Sequence, residues 1–168
     1  TEIRMQTFDN CWNLTSVTIP NSVTKINETA FCECRNLKTV SFNTNAIGTV
    51  FAGNASIEEV IAGDLVTIIP DGAFLGCYNI KTIKIPETVK IGKDVFGCKG
   101  TCGDDAYWKY DIFTKTMTIS GTGFLKHYGY DFNTQTDIKT PWADFADIIE
   151  SVVVEDGIDG QIGRASCR

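Results

Sequence analysis

Apolar residues recur along this chain at a fixed spacing that is not the 3.6-residue spacing of a helix. The triplets Leu14/Val17/Ile19, Leu37/Val40/Phe42, Ile57/Val60/Ala62 and Ile80/Ile83/Ile85 all read apolar-x-x-apolar-x-apolar, and Ile149/Val152/Val154 repeats the pattern after a long interval. Residues two apart lie on one side of a strand. The pattern therefore predicts a turn running into a short strand, with Val17 and Ile19 inward and Ser16 and Thr18 outward. Phenylalanines mark the same period: Phe8, Phe31, Phe51, Phe74 and Phe96 are separated by 23, 20, 23 and 22 residues. A second inward set, Val23/Ile26/Phe31 and Val66/Ile69/Phe74, lies between triplet and phenylalanine, so each unit has two lined walls.

One such coil cannot stand alone. Burying a large apolar side chain contributes roughly 1.5–3 kcal/mol, while ordering the backbone costs about 1–2 kcal/mol per residue. Stacking on neighbouring coils is obligatory, as in repeat solenoids. Three residues after each of the first four phenylalanines stands a ladder residue: Cys11, Cys34, Asn54 and Cys77, with Cys98 one position early in the fifth unit. Period and pattern fall in the leucine-rich-repeat range.

Segments such as NLTSVTIPNSVTKINETAFCEC and NIKTIKIPETVKIGKDVFGC resemble the BspA-like leucine-rich repeats of bacterial and parasitic-protist surface proteins. The resemblance covers residues 3–98. Its third unit departs from the phrase, being three residues shorter and lacking the Ile-Pro pair, so an irregularity in curvature is expected there. The fold expected is mainly β: a right-handed leucine-rich-repeat solenoid of four to five coils, each about 20–23 residues, over 1–100. A β-hairpin-containing, aromatic-rich spacer over 101–147 and the first, incomplete coil of a second array over 148–168 are expected to follow.

In the spacer, alternation in Tyr107–Ile112 and Met117–Ile119 around Thr114-Lys115 predicts a hairpin, with turns at Gly121-Thr122-Gly123 and Thr140-Pro141-Trp142. It resembles a spacer of BspA-like proteins, in which such a stretch leads into a new repeat; the matching residues are Trp108, Thr118–Gly123, Tyr128, Pro141-Trp142 and Ile149–Gly163. The chain opens in mid-repeat and leaves the pattern after Gly163, so it is expected to be a piece of a longer protein.

A net charge of −6 over 168 residues, without a basic cluster, argues against nucleic-acid or anionic-membrane partners. No apolar run is long enough to span a bilayer. His127 is the single histidine, so any Ser/His/Asp or Cys/His arrangement would have to centre on it, and nothing around it recommends that. Gly121-Thr122-Gly123 lacks the remaining glycines and the lysine of a phosphate loop. No enzyme, metal or cofactor signature is read; Cys98-x-x-x-Cys102 lacks paired zinc spacing, and Asp156-Gly-Ile-Asp159 has too few oxygens for calcium.

Seven cysteines leave at least one unpaired within the chain. Neighbouring coils bring equivalent residues to about 4.8 Å, so Cys11–Cys34 and Cys77–Cys98 could be disulfides; buried thiols in a ladder are the expected alternative. Cys98–Cys102 is the pair expected to be a disulfide. Asn13, Asn27 and Asn54 begin N-x-S/T sequons. Asn54 stands at a ladder position, where its amide is expected to satisfy buried backbone, which leaves Asn13 and Asn27 as candidate glycosylation sites.

The outward strand positions form two columns, Ser16, Thr39, Glu59, Thr82 and Thr18, Ser41, Ile61, Lys84. In leucine-rich repeats the strand face is the concave surface that meets partners, so these are the candidate ligand-binding residues. The resemblance implies a non-catalytic recognition or adhesion module, secreted or on the cell surface, binding a protein ligand or a host extracellular-matrix or cell-surface component. Two other readings stay open. The array could be a structural spacer that associates with itself, or the spacer aromatics Tyr128, Tyr130 and Phe132 could stack on carbohydrate, with Trp108 and Trp142 plugging a small core.

Overall fold

The structure, a computed structural model, describes residues 1–126, 128–131, 133 and 135–159. His127, Phe132, Cys167 and the Gly163–Arg168 end of the expected second array lie outside the described residues. The chain divides into two compact units, Thr1–Cys98 and Lys99–Arg168.

The first unit is a β-solenoid of about four turns. Its first wall is a parallel sheet in which β2 (Ser16–Ile19), β4 (Thr39–Phe42), β5 (Glu59–Ala62) and β8 (Thr82–Lys84) lie side by side in chain order. The first three hold the middle and end of their triplets, and β8 holds the middle, Ile83. Val40, Phe42, Val60 and Ala62 are buried where the alternation turns them inward. The leading Leu37 and Ile57 are fully buried at the turn into the strand. A parallel sheet normally requires helical crossovers; here each connection is one coil, so strand n meets strand n+1 after a full circuit.

The second wall is interrupted. β1 (Glu2–Ile3) pairs with β3 (Lys25–Ile26), and β6 (Ile68–Ile69) with β9 (Lys90–Ile91), as two separate ribbons. The segment between them runs from Phe42 to Phe51, three residues shorter than that from Ile19 to Phe31, and contributes no strand. The irregularity expected in the third unit thus takes the form of a missing strand. Polar side chains substitute for the lost backbone ladder. Asn43 Oδ1 accepts from Leu65 N–H (2.9 Å), Asn45 Oδ1 from Thr67 and Ile68 N–H (2.9 and 3.3 Å), and Thr44 Oγ1 donates to Val23 O (2.7 Å).

The third corner is the phenylalanine column. Ring centroids are 5.0 Å apart for Phe8–Phe31, 5.3 Å for Phe31–Phe51, 5.8 Å for Phe51–Phe74 and 5.6 Å for Phe74–Phe96. Three of these pairs are stacked within 15°, and only Phe31–Phe51, at the short coil, tilts to 34°. There β7 (Phe74–Leu75) pairs with the start of β10 (Phe96–Thr101).

The second unit is built on a long hairpin, β11 (Gly103–Asp111) antiparallel to β12 (Thr116–Leu125), turning at Thr114-Lys115 as the alternation predicts. Lys115 takes a positive φ of 49°, the left-handed conformation a tight turn needs. Ala106, Trp108 and Tyr110 face one side of β11 and are buried with Met117 and Ile119 of β12. A short 3-10 stretch, Ala143–Ile148, brings Phe145 to 5.6 Å from Trp108 and 5.2 Å from Tyr110, and Tyr110 donates to Ile148 O at 3.1 Å. Trp108 and Trp142, 6 % and 4 % exposed, fill this core as the sequence suggests.

The other edge of β12 carries parallel strands, β15 (Ser151–Val154) and β16 (Ile158–Asp159). Gly121 lets β12 run close against β11: its φ is +107°, and a Cβ would collide with the Asp105 carbonyl. A small hairpin of β13 (Gly129–Asp131) and β14 (Thr136–Ile138) lies between.

Candidate functional site

Parallel pairing sets the candidate face row by row. Ser16 pairs with Thr39, Thr39 with Glu59 and Glu59 with Thr82, while Thr18 pairs with Ser41, Ser41 with Ile61 and Ile61 with Lys84. All eight side chains point out of the first wall and are exposed or half-buried. The first two strands present hydroxyls, the last two charge. Glu59 and Lys84 are not independent groups, because Lys84 Nζ lies 2.8 Å from Glu59 Oε1.

A third row, which the columns read from sequence left out, flanks them. Lys38 and Lys81 close on Glu58 from both sides, at 3.1 and 2.8 Å. Hydrogen bonds from the two ammonium groups hold the Glu58 carboxyl below its usual range. The sequence signal was available: Lys38, Glu58 and Lys81 each follow the leading apolar residue of their triplet.

The ladder positions are satisfied from the backbone. Cys34 Sγ donates to Phe8 O and Cys77 Sγ to Phe51 O, both at 3.1 Å. Asn54 Nδ2 donates to Cys34 O at 3.2 Å, and its Oδ1 accepts from Ser56 N–H and Oγ. Burial pushes the Cys77 thiol up to about 12 and the Cys98 thiol up to about 11, and it raises Cys34 and Cys102 as well. Cys11, Cys34, Cys77, Cys98 and Cys102 are all free thiols. Cys98 and Cys102, the pair expected to form a disulfide, are both free here. Each sits buried in its own apolar surroundings, where the neutral thiol is the favoured form.

A second ladder was missed in the sequence. Asn36 Nδ2 reaches back to Trp12 O (2.6 Å) and Asn79 Nδ2 to Ala55 O (2.8 Å), one coil earlier in each case. Both stand immediately before a leading apolar residue, as does Asn13. Asn13 is exposed, and Asn27 holds its Oδ1 against Thr29 N–H and Oγ1 at 3.2 and 3.0 Å. Of the three sequons only Asn54 has its amide nitrogen engaged among the described residues.

In the second unit the Tyr128 ring lies tilted, 5.9 Å from that of Trp142, and is half-buried. The Tyr130 side chain and Phe132 lie outside the described residues, so the alternating aromatic face is not assembled by what is described. Among the described residues no three metal-ligating side chains gather, and no helix is long and apolar enough to cross a membrane.

No protein of curated function matches the chain. Among solved structures, a leucine-rich cell surface protein from Faecalibacterium prausnitzii is similar at 20% identity and a TM-score of 0.36, covering 76% of this chain and 49% of that one. The chain thus spans about half the length of that protein. Residues 1–102 match the BspA type leucine-rich repeat region in six copies, in agreement with the period, the stacked phenylalanines and the parallel wall, and the chain belongs to the BspA-type leucine-rich-repeat family.

Proposed function

We propose that this chain is a non-catalytic recognition module, displayed outside the cell, whose four-stranded face binds a protein ligand. The observation that carries the reading is the in-register face itself: two rows of hydroxyl, apolar and charged side chains on a rigid parallel sheet, with a flanking row of paired charges. Rigid presentation lowers the entropy cost of binding, and the paired charges set register and specificity more than affinity. Membership of the BspA-type leucine-rich-repeat family supports the location.

The Glu59–Lys84 pair shapes the test. Reversing one member breaks the pair and confounds binding with local repulsion. Exchanging both, Glu59→Lys with Lys84→Glu, keeps the pair and rewrites only the face. Applied with Ile61→Asp to a panel of immobilised extracellular-matrix proteins, the exchange should reduce capture about tenfold or more. Capture unchanged by both variants would sink the strand-face reading and leave the array as a structural spacer.

A further inference from the structure

The strand missing from the short coil leaves an open seam between the second and third coils. In the regular coils the carbonyls of Thr67 and Ile69 accept from Lys90 and Gly92 N–H, both at 2.9 Å. Their counterparts two coils earlier, Thr24 and Ile26 at β3 and facing the short coil, have no such partner among the described residues. The next corner repeats the gap. Phe8 N–H bonds Ala30 O and Asn10 N–H bonds Cys32 O, whereas no backbone bond joins 31–33 to 50–52 among the described residues.

A cavity lies on either side of β3 along this seam, each walled by the second and third coils, the first also by Leu65 of the fourth. One, of about 430 Å³, is lined by Val23, Thr24, Ala46 and Leu65; the other, of about 450 Å³, by Glu28, Thr29, Cys32 and Gly53. Asn21, Asn43, Thr44 and Asn45 complete the first cavity, whose apolar side is Val23, Ala46 and Leu65; Leu65 is 56% exposed where the equivalent residues in other coils are Ser22 and Thr88. The second is acidic. Glu33 is paired with Arg35, but Glu28 has no ion pair among the described residues.

We propose that this seam is a second binding site, distinct from the first-wall face, for an extended peptide of a partner protein. Main-chain N–H groups of the peptide donate to Thr24 and Ile26 carbonyls, adding a strand to the open edge of β3. Carbonyls two residues apart on one strand edge match the alternate N–H groups of an extended chain. Leu65 and Val23 receive an apolar side chain at one end, and the Glu28 carboxylate receives a lysine or arginine at the other. The occupant therefore has an apolar and a basic end, which separates it from any acidic or all-polar sequence.

The probe is the peptide acetyl-LTVTKTR-amide, with two controls: the same peptide carrying glutamate for both basic residues, and a version N-methylated at alternate residues. Titration into the full chain, followed by amide chemical shifts, should move Thr24–Ile26, Glu28 and Leu65. The N-methylated peptide should bind about tenfold more weakly, as loss of a main-chain bond implies, and the glutamate peptide more weakly still. In the Glu28→Lys variant the preference between basic and acidic peptides should invert, and Leu65→Asp should weaken both. Absence of binding by the basic peptide, shifts confined to the first wall, or affinity indifferent to N-methylation and to Glu28→Lys would each overturn the proposal. Inserting three residues after Asn45 to restore a full coil should abolish binding; because that variant could misfold, the exposed Glu28 exchange is the deciding one.

Discussion

The two units build parallel sheet by different means. In the first, each strand is placed by an equivalent strand one coil away, and the same bonds recur: Asn43 N–H to Ile19 O, then Gly63 N–H to Phe42 O. In the second, one ten-residue strand, β12, aligns β15 through Thr116–Ile119 and β16 through Gly123–Phe124. A single hairpin thus does for β15 and β16 what a preceding coil does elsewhere. The lesson concerns error tolerance. A repeat distributes its register over many equal contacts, so it survives a coil three residues short; the hairpin concentrates register in one strand and one glycine.

The largest test of that contrast is the phenylalanine column. Phe51→Ala removes a ring 1% exposed that stacks on Phe74 and packs at a tilt against Phe31. It should cost about 3–5 kcal/mol, read as a lowered denaturation midpoint by circular dichroism. Trp108 and Trp142 fluorescence reports the second unit, since Trp12 is 62% exposed. A cost below about 1 kcal/mol would mean that the column is not the spine of the array.

Next comes Gly121→Ala, expected to cost roughly 2–3 kcal/mol from a positive φ and a collision with the Asp105 carbonyl. Its signature is loss of protection from amide exchange in both β15 and β16. The same change at Gly123, whose added Cβ meets nothing within 4 Å, carries only the backbone strain. Equal costs at the two sites would show that β12 does not concentrate register at Gly121.

The remaining effect appears only at alkaline pH. The Cys77 pKa is raised to about 12 in the fold from 9.0. A raised folded pKa means that the stability held by the neutral thiol is present below pH 9 and lost as pH climbs toward 12. Stability of the first unit should fall across that window, and Cys77→Ala should flatten the fall. Native alkylation by iodoacetamide at pH 8 should label exposed Cys32 first and Cys77 only on unfolding. Labelling of Cys77 at the rate of Cys32 would contradict its burial.

Much of this was legible in the sequence because repetition makes long-range contacts periodic. The triplet spacing alone aligns Ser16 with Thr39 and Glu59 with Thr82, and the five phenylalanines foretell their stack. The same logic held for Asn54 in the cysteine ladder. It did not extend to Asn36 and Asn79, whose bonds to Trp12 O and Ala55 O follow an equally regular column; the signal was there in the residue before each leading Leu or Ile.

By itself, then, the sequence determined the period, the inward and outward alternation and the hairpin turn, since all three follow from local spacing. Only the tertiary structure decided that the three-residue deficit falls on the second wall, that Glu59 is tied to Lys84, that Glu58 sits between Lys38 and Lys81, and that β12 aligns two later strands. Each of these depends on where two distant segments meet in space. Spacing along the chain fixes which side a residue faces, but not which partner waits there.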